Sequence, residues 1–259
     1  IGFIAAGKVP VRKPGNRLKG LAPAPGEDAR YDWAGFIAFD ELPRTYNPSS
    51  GAIVTANHKI TPAGYAHHIT SEWQPPYRAR RIDELLAAVR HHGAPSFARI
   101  QLDTYSLAAR ALLPHLLKTQ RTVGNDEALS LLAGWDGNMA ADRAEPLILV
   151  AWWRELARAV FADELGGAFH AAWSTRAGFL VNVLSGKDPA WCDDTTTSAP
   201  ESCGQILQIS LERALADLRS RYGKDLRKWQ WGEAHEARLR HQPFTRSELL
   251  RRWFDIVVP

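Results

Sequence analysis

The spacing of apolar residues changes once along this chain, near residue 60, and that change limits the fold more than any other feature. Before it, short β-branched and aromatic runs alternate with Gly/Pro turn signals. Ile1–Ala6 reads as a strand, Asp32–Phe39 as another, and Ala52-Ile53-Val54 as the core of a third, fed by the turn Asn47-Pro48-Ser49-Ser50-Gly51. Pro10 excludes a central strand at 7–12, and 13–31, rich in Gly, Pro and charge, reads as loop. After residue 60 a helical period takes over. Strands followed by helices in one chain give an α+β class. No repeat and no low-complexity tract is present, so residues 1–259 are taken as one partial domain, with a strand-rich segment at 1–60 and a mainly helical region at 61–259.

The helical region can be laid out element by element. Ile82, Leu85, Leu86 and Val89 set a helix over 78–92, and Ser96 is a candidate N-cap for one over 97–119, with Pro114 as a kink or break. Short helices follow at 126–135 and 174–184. Pro146 is placed to start a buried helix lined by Leu149, Trp152, Trp153, Leu156 and Val160. The clearest helix covers 203–222: Leu207, Leu211, Ala214, Leu215, Leu218 and Tyr222 share one face, and Gly223 stops it. A last amphipathic helix is expected at 247–257.

Composition narrows the function classes. Lys+Arg total 32 against 28 Asp+Glu, and the basic residues are spread out, so no nucleic-acid-binding stripe exists. No apolar run reaches the ~20 residues of a membrane span. Ten Trp point to large packed seams or a substrate cavity. Ile1 opens inside an apolar run without a preceding Met, so a segment of a longer polypeptide is expected. The two cysteines, Cys192 and Cys203, flank one polar loop. A bridge there would suit an oxidising compartment and stabilise by roughly 2–3 kcal/mol; the alternative is two unrelated thiols.

Two side chains stand out chemically. Asn57 ends the stretch Gly51-Ala52-Ile53-Val54-Thr55-Ala56-Asn57-His58. A carboxamide at the tip of a strand donates a hydrogen bond without carrying charge, as the oxygen of a carbonyl under attack requires; the plainer reading is a turn cap. Arg78 opens a basic cluster with Arg80 and Arg81 at a helix start, where the helix dipole disfavours cations. It therefore needs a partner, such as a carboxylate or a substrate, with Asp83 and Glu84 the local candidates for the other arginines. Gln101 and Asp103 read as a satisfied hydrogen-bond node, and Trp229-Gln230-Trp231-Gly232 as a tight corner with a structural His235. None of the nine His sits in a nucleophile motif, the pairs His67-His68 and His91-His92 do not chelate as neighbours, and Gly-rich phosphate motifs are absent.

Taken together, ordered motifs over almost the whole chain resemble the penicillin amidase (penicillin acylase) family of N-terminal-nucleophile hydrolases. They are Asp32-Trp33-Ala34-Gly35-Phe36-Ile37, Leu42-Pro43, Asn47 to Asn57, Arg78 to Leu86, Gln101 to Ser106, Trp135-Asp136-Gly137, Tyr222-Gly223, and Trp229-Gln230-Trp231-Gly232 with His235. The ending looks more like the cephalosporin-acylase and acyl-homoserine-lactone-acylase branches than the penicillin G acylases. The resemblance implies a piece of a four-layer αββα fold. It implies a secreted or periplasmic precursor that cuts itself, and hydrolysis of a linear amide by an N-terminal Ser whose own α-amine, with a pKa near 8, is the base. It places the oxyanion-hole Asn at Asn57 and the active-site Arg, which positions substrate and nucleophile, at Arg78.

The nucleophile is expected upstream of Ile1. The implied partners are a small-molecule amide and the remaining α-chain and β-chain segments of the same precursor. No cofactor is expected, and the metal ligands stay unassigned: the family's calcium-binding carboxylates are not identifiable, and His67 and His68 stand where one would be sought. The competing reading is a non-catalytic helical module that binds a partner through a Trp-rich surface.

Overall fold

The computed structural model describes residues 1–169 and 176–258. The chain forms two compact units, Ile1–Asp103 and Thr104–Pro259. The change of apolar spacing near residue 60 lies inside the first of them.

In the first unit, strand β1 (Gly2–Ile4) pairs antiparallel with β4 (Arg44–Tyr46), with Phe3 opposite Thr45. Strand β2 (Pro10–Arg12) pairs antiparallel with β3 (Trp33–Phe36), and the register shifts between Val11 and Arg12. The exclusion of a central strand at Pro10 holds, since β2 pairs with β3 alone among the described residues. Pro10 is the first residue of a two-stranded ribbon, where its missing N–H breaks no central ladder. The stretch Ala52–Ala56, read as a strand, belongs to no ladder among the described residues. Its apolar pattern was right for burial, since Ala56 is buried and Ile53 and Val54 half-buried, but a strand also needs a partner.

Helix α1 (Tyr77–Ala87) follows, then α2 (Ala94–Gln101). The single helix expected over 97–119 is two. Helix α2 stops at Leu102, and α3 (Leu107–Leu116) restarts with Ser106 as N-cap, its side chain accepting from Ala109 N. Ser96 is not an N-cap; from inside α2 its Oγ reaches back to Gly93. The break is not at Pro114, which sits in the last turn of α3. It comes from pairing: Ser106 N donates to Gly137 O and Met139 N to Thr104 O, so residues 104–106 leave helical geometry to join 137–139. Gly137, at φ +100°, makes this approach possible; a Cβ there would lie 2.7 Å from the Arg110 side chain.

The second unit is built around α5 (Glu145–Leu165), preceded by α4 (Asp126–Ala133). Pro146 is the second residue of α5, a position where no intrahelical donor is lost. Helix α6 (Ala177–Leu184) begins later than expected; Ser174 and Thr175, the first two residues of the expected helix, lie outside the described residues. Helix α7 (Cys203–Tyr222) carries a Ser202/Gln205 capping box and ends at Gly223, φ +86°. Helices α5 and α7 share a core of Leu149, Leu156, Val160, Leu211, Ala214 and Leu215, each under 2% exposed.

Trp152 lies fully buried in that core, and its Nε1 donates to Leu207 O at 3.1 Å and Ser210 Oγ at 3.0 Å. Cys192 and Cys203 are bridged, tying the loop between them to the start of α7. Beyond α7, the short helix α8 (Trp231–Ala234) is held by backbone bonds from Trp231 to Arg143 and from Gly232 to Ala141. The final expected helix is shorter than read: α9 covers Glu248–Phe254, and Ile256–Val258 forms strand β6 against β5 (Ala237–Leu239). Three successive β-branched residues favour a strand wherever a partner is at hand.

Candidate active site

Asn57 and Arg78 lie together in the first unit. Ala56 is buried and anchors the segment, while Asn57 beside it is exposed. Its backbone is left-handed, φ +62°, a region Asn enters at lower cost than most residues. The Asn57 carbonyl accepts from Gln74 N at 2.9 Å, and the adjacent His58 forms a bridge with Gln74. These contacts fix the backbone from which the carboxamide projects. Gln74 acts through its main chain, so no side-chain signal in the sequence marks it.

Arg78 sits in the first turn of α1, directly after Pro76 and Tyr77. Its Nη2 donates to Asn57 Oδ1 at 2.7 Å and to Ala56 O at 3.0 Å. The need for a partner is met by neutral oxygens rather than by a carboxylate. The chemical consequence is definite. A guanidinium has only donors, so the Asn57 atom facing it is the carbonyl oxygen. The NH2 group therefore points away from Arg78, and no hydrogen bond engages Nδ2 among the described residues. The pair presents one oriented, polarised N–H donor on the surface of this unit.

The helix bearing Arg78 is pinned one turn later. Arg81 makes a bidentate pair with Asp103, Nε to Oδ2 at 2.9 Å and Nη2 to Oδ1 at 2.7 Å, and also reaches Glu84 at 3.2 Å. Asp103 is the main reason the Arg81 pKa is raised above its usual value. Glu84 answers to the local expectation for the cluster. Asp103 was legible only as a satisfied node, because a pairing across 22 residues leaves no mark in local spacing.

His67 and His68 do not join Asn57 and Arg78. His67 Nε2 meets Glu41 Oε2 at 3.0 Å. The His68 imidazole is pushed below its ordinary pKa, first by burial and then by the Arg12 and Lys19 cations. Among the described residues, no group of three or more His, Cys, Asp or Glu could hold a metal ion. No helix among them is long and apolar enough to cross a membrane. In the second unit, Trp229 is buried with its Nε1 donating to Gly223 O at 3.0 Å, and His235 stacks on Trp231. That corner is structural.

Over residues 1–257 the sequence matches the penicillin amidase family profile. The chain belongs to the penicillin amidase family. Among its relatives is the acyl-homoserine lactone acylase QuiP of Pseudomonas aeruginosa, 33% identical over 260 residues, covering 91% of this chain and 30% of that protein. Another is the penicillin acylase 2 proenzyme of Pseudomonas sp. strain SE83, 30% identical over 243 residues, covering 93% of this chain and 31% of that protein. The chain thus spans about a third of the length of the curated relatives it matches. A solved structure, the thermostable penicillin G acylase of Alcaligenes faecalis, superposes with a TM-score of 0.70 at 18% identity, over 99% of this chain and 51% of that one. The α+β fold, a few strands followed by mostly helical structure, is therefore that of part of an N-terminal-nucleophile hydrolase of the penicillin acylase type.

Proposed function

We propose that these residues form part of an acylase that hydrolyses a linear amide, releasing an acyl group from an amine such as a homoserine lactone or a β-lactam nucleus. The nucleophile is an N-terminal Ser contributed from outside the 259 residues. Its Oγ attacks the amide carbon, and its own α-amine takes the hydroxyl proton. The carbonyl oxygen becomes an oxyanion that accepts a hydrogen bond from Asn57 Nδ2. The C–N bond then breaks as the amine leaves with the proton, and water hydrolyses the acyl-enzyme through a second oxyanion at the same place. Arg78 positions substrate and nucleophile by fixing the donor they meet.

The observation that carries this reading is the contact from Arg78 Nη2 to Asn57 Oδ1, 2.7 Å, which leaves the amide N–H turned outward. Periplasmic or secreted processing of a precursor is part of the proposal. The Cys192–Cys203 bridge supports it, because such bonds persist in oxidising compartments. The competing binding-module reading draws little support, since Trp135, Trp152 and Trp229 are core residues and of the described tryptophans only Trp33 and Trp253 are largely exposed. The test is Asn57→Ala in the processed protein. Loss of one oxyanion donor lowers kcat about 100- to 1000-fold. Turnover within about threefold of wild type, with the fold intact by circular dichroism, removes Asn57 from the chemistry.

A further inference from the structure

A cavity of about 290 Å³ lies elsewhere in the first unit, between β2, the loop 13–21 and residues 66–68. Arg12, Lys13, Lys19, His67 and His68 line it, and no Asp or Glu does. Two atoms there are buried without a hydrogen-bond partner: Arg12 Nη1 and His68 Nε2. A buried unpaired guanidinium nitrogen is costly, and proteins rarely keep one without something to meet it.

The surroundings of Arg12 are built rather than incidental. The register of the ribbon shifts between Val11 and Arg12, the kind of irregularity that re-aims a side chain. Lys19 and Gly20 are consecutive left-handed residues, φ +49° and +85°. The guanidinium lies so close to Gly20 that a Cβ there would be 2.6 Å from Nη2. Asn16, 6% exposed, holds this loop by accepting from Lys19 N at 2.8 Å and donating to Tyr31 O at 3.4 Å. Asp32 pairs with Lys13 at 3.4 Å and Glu41 with His67. Arg12, Lys19 and His68 are left facing the cavity.

We propose that this cavity binds a small tetrahedral oxyanion of the phosphate class, with Arg12 as a hydrogen-bonding fork and Lys19 as a counter-charge. Arg12 suits a tetrahedral anion because its planar donors match two oxygens at once. The volume leaves room for the anion and several waters of ~30 Å³ each.

Titration of inorganic phosphate into the purified protein at pH 7 and low ionic strength tests this by calorimetry. The expected result is one site per chain with a Kd of about 1 mM or below, the range that a few charge-assisted hydrogen bonds supply. Arg12→Gln should abolish the binding. Lys19→Gln, at an exposed position, leaves the fold intact and should weaken it about three- to tenfold. Acetate should bind at least tenfold more weakly, and sodium chloride at the same ionic strength should give no saturable signal. No saturable phosphate heat, unchanged affinity in Lys19→Gln, or equal affinity for acetate would each overturn the assignment. If Arg12→Gln fails to fold, the Lys19→Gln and acetate arms decide alone.

Discussion

Replacing Arg78 by Lys, and separately by Met, tests how the candidate site works. Arg78 Nη2 holds Asn57 Oδ1 at 2.7 Å and Ala56 O at 3.0 Å. Lysine keeps the charge but is shorter than arginine, so its ammonium does not reach the position of Nη2 and the Asn57 carboxamide regains its freedom. Three χ1 wells and two amide faces give about six states, and one presents Nδ2 correctly, so kcat should fall up to about sixfold. Methionine also removes the charge. A guanidinium donating to Oδ1 stands about 7 Å from an oxyanion bound at Nδ2, and a unit charge at that distance contributes ~0.6 kcal/mol in water and ~2.4 kcal/mol at an effective dielectric of 20. Arg78→Met combines both losses and should therefore lower kcat about 10- to 300-fold, no more than Asn57→Ala. The assay is amine release from an N-acyl substrate at saturation.

The decisive arm is the double variant. If Arg78 works by orienting Asn57, Arg78→Lys has nothing left to disturb once Asn57 is Ala, and its effect should shrink to less than about twofold in that background. Full multiplication of the two losses would refute the reasoning and place Arg78 directly on the substrate.

Other perturbations address the scaffold. Reducing the Cys192–Cys203 bridge, which closes a loop of sequence separation 11, should lower unfolding free energy by about 3 kcal/mol, read from urea melts with and without reductant. Trp152→Phe removes the indole donor and leaves a smaller ring in the core, while Leu207 O keeps its bond from Ser210 Oγ; a loss of about 1–3 kcal/mol is expected in the same melts. The Glu164 carboxyl is pushed up to about 7, by burial and then by its hydrogen bond with Asp163. An acid raised in this way favours the fold while protonated, so its contribution is complete below its ordinary value near 4.5 and fades as pH rises toward 7. Glu164 remains partly exposed, so the effect is screened to roughly 1 kcal/mol or less. Glu164→Gln should flatten the melting temperature between pH 5 and pH 7, and an unchanged slope would contradict the shift.

The helix over 203–222 was set by local pattern alone. Its apolar face and its Gly223 stop are one-element properties, and α7 has the expected bounds. The order of motifs likewise carried the family, because a family signature is linear in sequence. What the pattern could not hold was pairing between distant segments. Residues 102–106 read as mid-helix until backbone bonds from 104 and 106 to 137–139 drew them out. Ala52–Ala56 had strand chemistry but no ladder, and Ile256 and Val257, read as the end of a helix, pair with β5.

The same division runs through the candidate site. Sequence determined that an amide at 57 and a guanidinium at 78 were available, since residue type fixes donors, acceptors and charge. Only the fold decided that the guanidinium takes the amide oxygen, because a hydrogen bond depends on distances of a few ångströms between groups 21 residues apart. The orphaned Arg12 and His68 are a tertiary fact of the same kind: whether a cation is buried without a partner is settled by what surrounds it, and no spacing along the chain records that.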